Sequence, residues 1–149
     1  MSTQPAAWNH ARVRVTGIAT YRFEHFTLSE PACGDKEPST RMWLTFGGRT
    51  ASGAVYCCPG EGEPRRSKPL VIDGKELPLI EDETFRRFTE QLRKGETTLR
   101  VTVVGTFFSG EKDQTDGTWR AFGHMGCCSL LVIEQVERFE SAKTAPRGR

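Results

Sequence analysis

Two stretches constrain the fold more than anything else in the chain. "RVRVTGIATY" (Arg12–Tyr21) puts Val13, Val15, Gly17, Ala19 and Tyr21 on one side and Arg12, Arg14, Thr16, Ile18 and Thr20 on the other. "TTLRVTVVGTFF" (Thr97–Phe108) likewise places Leu99, Val101 and Val103 on a common face. Period two of this kind predicts strands with a buried face. Each stretch also repeats a small echo, Val13-x-Val15-x-Gly17 and Val101-x-Val103-x-Gly105. A glycine inside a strand weakens it unless the strand must bend sharply. Two long strands with an internal glycine therefore predict a small, strongly curved barrel rather than an open sheet.

The remaining segments fill in an order. "FEHFTL" (Phe23–Leu28) extends the first strand after a bend, and "SEPACGDKEPST" (Ser29–Thr40) is a loop by its Pro, Gly, Ser and charge content. "RMWLTFGG" (Arg41–Gly48) is read as a second strand and "AVYCC" (Ala54–Cys58) as a third. After a further loop, Asp73–Gly74 lies between short apolar runs and supplies the positive φ angles of a tight hairpin turn. "EDETFRRFTEQLRKG" (Glu81–Gly95) predicts the one good helix: Phe85, Phe88 and Leu92 form a stripe, Asp82 is the N-cap and Lys94–Gly95 closes it. The last strand is "CCSLLVIEQVERF" (Cys127–Phe139). The expected fold is mainly β, a small five-stranded Greek-key barrel of the OB type with one helix between strands three and four, its apolar stripe plugging the barrel. Residues 1–11 are read as a lead-in, 12–139 as the barrel domain and 140–149 as a disordered polar tail.

Charge and cysteine content narrow the function classes. The 149 residues carry a formal charge of +2, which disfavours nucleic acid as a partner because such grooves are lined with Lys and Arg. Arg65, Arg66 and Lys68 form the one dense basic cluster and read as a solvated loop. No apolar run approaches the roughly 20 residues of a transmembrane helix, and no signal peptide is visible at the start of the sequence. The five cysteines are Cys33, Cys57, Cys58, Cys127 and Cys128; an odd number leaves at least one outside intrachain pairing. If "AVYCC" folds back on "RMWLTFGG", Cys33 lies at the same end of the sheet as Cys57 and Cys58, which predicts a disulfide from Cys33 to one of them. Cys127 and Cys128 supply a second bridge partner or stay free.

The candidate site follows from the fold. An OB-type barrel binds between the loop joining strands one and two and the loop joining strands four and five; here these are Ser29–Thr40 and Ser109–Gly126. The second carries Trp119, Arg120, Phe122 and His124, groups able to stack on a base or sugar or to anchor a protein. The competing reading folds Trp119 and Phe122 back over the barrel end. His124 with Cys127 has usable metal-ligand spacing, with Cys57 or Cys58 completing a set, but no Cys-x-x-Cys occurs and vicinal cysteines chelate one tetrahedral ion poorly. A Cys127 or Cys128 nucleophile with His124 as base lacks any known surrounding signature. The alternative for Gly123–Gly126 is a tight lead into the last strand, with His124 bonded to backbone.

"VRVTGIATYRFEHFTL", "RMWLTFGG", "VTVVGTFF" and "GHMGCCSLLVIEQV" together resemble a group of uncharacterised bacterial proteins with small OB-like barrels. The shared pattern falls on Val15–Gly17, Phe23–Glu24, Trp43–Leu44, Val103–Gly105 and the Gly-His-Met-Gly turn of Gly123–Gly126. The resemblance implies the fold and an envelope location, periplasmic or secreted, with a cytoplasmic one as the alternative. It implies no activity, and it favours a structural role for His124. The expectation is a non-catalytic binding or structural module of the bacterial cell envelope, with no cofactor and no metal, meeting a protein or small ligand at the barrel rim. The alternatives are a Cys/His metal-binding or thiol-redox protein and a single-stranded nucleic-acid binder.

Overall fold

A computed structural model of the chain describes residues 5–22, 25–30, 42–50, 65–95, 97–109 and 129–142. In chain order a 3-10 turn (Pro5–Trp8) is followed by β1 (Arg12–Arg22), β2 (His25–Ser29), β3 (Met42–Phe46), β4 (Val71–Ile72), β5 (Lys75–Glu76), α1 (Glu83–Arg93), β6 (Thr97–Phe108) and β7 (Ser129–Ser141). Five of these strands close into a barrel in the order β1-β2-β3-β7-β6, with β6 returning to β1. All neighbours are antiparallel except β3 and β7, which run parallel from Met42↔Ser129 to Phe46↔Ile133.

The alternation read from the sequence places the interior. Ala19, Phe26, Leu28, Leu44, Phe46, Leu99, Val101, Val103, Leu131, Ile133 and Val136 are buried in one cluster, with Val13, Val15 and Tyr21 packed against it. The two internal glycines, expected at sharp bends, stand where neighbouring backbones come close. A Cβ at Gly17 would sit 2.9 Å from the Ser29 carbonyl oxygen, and one at Gly105 would overlap the Val132 carbonyl oxygen. Neighbouring backbones approach so closely there that only a residue without a side chain fits.

Helix α1 plugs one end. Asp82 Oδ1 accepts from the Phe85 N–H at 2.9 Å, satisfying one of the orphan donors of the first turn. Glu83 lies in the first turn and Arg93 in the last, both matched to the helix dipole. The stripe of Phe85, Phe88 and Leu92 is buried in the barrel cluster. Phe46 meets the rings of Phe85 and Phe88 edge-on at 5.2 and 6.1 Å, and Phe88 meets Phe139 at 5.5 Å.

Four expectations change. Residues 12–28 are two strands, not one bent strand: the chain reverses after Arg22, which pairs with His25. The turn contains no Gly, Pro, Asn or Asp, so nothing local announced it. Met42–Phe46 is consequently the third strand of the barrel, while Ala54–Cys58 lies outside the described residues. The helix is not placed directly between strands three and four. The β4–β5 hairpin, a separate two-stranded sheet, precedes it, so α1 follows the fifth strand of the chain. Asp73 (φ 52°) and Gly74 (φ 75°) make the hairpin turn, as Asp-Gly predicts.

The fourth change concerns the basic cluster at 65–68. Arg66 is half-buried and bonded to the chain rather than wholly solvated. Its Nη1 donates to the carbonyls of Phe46 at 2.8 Å, Thr50 at 2.9 Å and Gly48 at 3.3 Å, and its Nη2 to Thr45 Oγ1 at 3.1 Å. The planar fork thus gathers carbonyls at and just beyond the end of β3, one of which, that of Gly48, also accepts from the Leu70 N–H at 2.9 Å. Burial lowers the pKa of this guanidinium from its ordinary value.

The hairpin and its flanks have a packing role. Leu130 and Val132 alternate with Leu131 and Ile133, so the apolar run of β7 is buried on both faces. The outward pair forms a second cluster with Trp43, Phe108, Ile72 and Leu77, with Leu70 packed against it. The lead-in docks beside it: His10 N–H donates to the Phe107 carbonyl at 2.7 Å, its Nε2 lies 2.8 Å from Asp73 Oδ2, and its ring meets Phe108 edge-on at 5.3 Å.

Candidate functional site

The barrel has two unlike ends. At the end opposite α1, strand pairing brings four strand termini together. Leu28 pairs with Met42, Met42 with Ser129, and Phe108 with Leu130. The segments 31–41 and 110–128 are therefore rooted on adjoining strands, the first between β2 and β3, the second between β6 and β7. This revises the loop assignment: Ser29–Thr40 follows the second strand, not the first, and Ser29 itself belongs to β2. The two segments still share a rim, because β3 and β7 run parallel. Asn9 completes that edge by accepting the Ser109 N–H at 3.1 Å, and Trp8 beside it is 44% exposed.

The side chains singled out in the sequence, Trp119, Arg120, Phe122, His124, Cys33, Cys57, Cys58, Cys127 and Cys128, lie outside the described residues. Among the described residues no group of three or more His, Cys, Asp or Glu is arranged to hold a metal ion. The outer face of β2 and β3 is covered in part by the protein itself. Thr27 and Trp43 face each other across the strands and are 5% and 3% exposed. His25 Nε2 lies 2.9 Å from Thr27 Oγ1, and its ring stands edge-on to Trp43 at 5.6 Å.

A second polar region, missed in the sequence, lies on the outer face of β1, β6 and β7. Its cause is a pair of β-bulges. Thr102 and Val103 oppose Arg138 and Val136, and Val104 and Gly105 oppose Gln135 and Ile133, so Glu137 and Glu134 are each left without a partner on β6. Glu134 is 5% exposed; it accepts from Thr106 Oγ1 at 2.6 Å and from Arg12 Nε at 3.0 Å. Glu137 accepts from Arg14 at 2.8 and 3.1 Å. One row further, Thr16 and Thr102 share a hydroxyl–hydroxyl bond of 2.9 Å, and Arg138 Nε donates to Thr102 Oγ1 at 3.2 Å. Next comes Ile18–Arg100–Glu140. Thr16, Arg100, Val101, Thr102, Arg138, Phe139 and Glu140 line a groove of about 230 Å³. A sequence signal for the bulges existed: Ile133, Val136 and Phe139 recur every third residue, where an unbroken strand would repeat every second.

Comparison with protein-family models, with curated proteins and with solved structures gave no match.

Proposed function

We propose that the chain is a small non-catalytic binding module of the bacterial envelope, built on an OB-like Greek-key barrel, that meets its ligand at the rim bearing residues 29–40 and 109–126. The strand order β1-β2-β3-β7-β6 with a parallel β3–β7 pair supports the OB-like reading. The observation that carries the site is the Met42↔Ser129 pairing. It roots both long segments side by side at the end away from the helix plug. Trp119, Arg120, Phe122 and His124 would then project from one of two adjoining segments and supply stacking surface and donors. The exposed Trp8 at the same edge extends that surface.

The test is amide chemical-shift mapping on the labelled full chain. The probes are a soluble peptidoglycan fragment, a 15-mer of deoxythymidine and Zn²⁺. The expected result is perturbation at Ser29, Met42, Ser109 and Ser129 by the peptidoglycan fragment, removed by Trp119→Ala. A response to Zn²⁺ alone would replace this reading with Cys/His metal binding, and a response to the oligonucleotide alone with nucleic-acid binding. Silence of the rim toward all three probes would count against a binding role there.

A further inference from the structure

The wall of the barrel, far from the loop rim, holds a different kind of site. Four cross-strand rows of the outer face each contain an arginine, and in two of them a carboxylate on β7 matches it. Arg12 pairs with Glu134 and Arg14 with Glu137. The pattern then breaks. Arg138 bonds a threonine hydroxyl instead of a carboxylate, and among the described residues neither Arg100 nor Arg138 has an ion-pair partner. Both line the same groove, together with Thr16, Thr102 and the single carboxylate of Glu140. Two guanidiniums and one carboxylate leave one net positive charge in the groove.

We infer that this groove binds a phosphate monoester of a small hydroxylated molecule. Guanidinium forks present parallel N–H donors that match the oxygens of a phosphate and give charge-assisted bonds. The hydroxyls of Thr16 and Thr102, held together at 2.9 Å with one hydrogen spent between them, leave one further donor beside the guanidiniums. Glu140 repels a bare anion but accepts from a ligand hydroxyl, so the groove suits an anion carrying hydroxyls a few ångströms away. The volume of about 230 Å³ is below the range of drug-sized pockets and fits a ligand of sugar-phosphate size. This inference rests on residues of β1, β6 and β7 alone and stands apart from the rim reading.

The experiment is a chemical-shift titration of the labelled full chain with ribose 5-phosphate at constant ionic strength, beside ribose, inorganic phosphate and sodium chloride. Saturable shifts are expected at Thr16, Val101, Thr102, Arg138 and Phe139, with ribose and chloride silent and inorganic phosphate weaker. Arg100→Gln and Arg138→Gln should each weaken binding about tenfold or more, the scale of one lost charge-assisted bond. Arg138→Lys, which keeps charge but loses the fork, should fall between. Both arginines are exposed, so the variants fold, and a dispersed amide spectrum verifies this. Unsaturable shifts, equal binding of ribose, or an affinity unchanged in either Gln variant would overturn the site. Inorganic phosphate binding as tightly as the ester would overturn the choice of an ester.

Discussion

Over β3, the start of β7 and the end of β6, the outer face of the barrel is apolar and is covered by another part of the chain. Over β1, the middle of β6 and the second half of β7, it is polar and covers itself. The first wall consists of Trp43, Leu130, Val132 and Phe108 beneath Ile72, Leu77 and Leu70. The second consists of arginine stems and carboxylates bridging three strands. The difference lies in β7. Its first half repeats every two residues with apolar groups on both faces; its second half is twice interrupted by a glutamate that the ladder skips. A strand apolar on both faces needs a second layer, which accounts for the hairpin. A strand whose outward residues are Arg and Glu needs none, because long charged side chains lay their methylenes over the sheet while their heads stay hydrated.

Four substitutions test this contrast. The largest effect is expected for Leu77→Ala. Leu77 is fully buried under the hairpin, and its truncation should cost about 2–5 kcal/mol, read as a lower urea midpoint with shifts around β4–β5. Glu134→Gln comes next. It leaves the Arg12 charge unmatched beside a 5% exposed side chain, and about 1–3 kcal/mol should be lost. Glu137→Gln alters the more exposed pair with Arg14 and should cost no more than about 1 kcal/mol, less in high salt. Arg100→Gln should change stability by only about 0.5 kcal/mol in either direction. Equal losses for Glu134→Gln and Glu137→Gln in denaturant titrations would remove the distinction drawn between a buried and a surface bridge.

Much of this architecture could be read from the residues. The alternation in 12–21 and 97–108, the two close-approach glycines, the Asp73–Gly74 turn and the stripe of α1 each have a local physical cause, and each stands where expected. What escaped the reading has no local cause. The reversal between Arg22 and His25 lacks turn residues. The parallel β3–β7 pair joins positions 87 residues apart, Met42 and Ser129. Arg66 looks like any loop arginine until the end of β3 supplies three carbonyls within its reach. The wall groove is built from Thr16, Thr102 and Arg138, brought together only by barrel closure. The aromatic and cysteine residues of the candidate rim site were nameable from composition and spacing, but they fall outside the described residues.

The side-by-side anchoring of Met42 and Ser129 has a consequence for engineering. Foreign peptides inserted just before residue 42 and just before residue 129 would emerge next to one another from the paired β3 and β7 strands. Each could be varied in length without displacing the anchor of the other, which makes this end of the protein a natural platform for presenting paired epitopes.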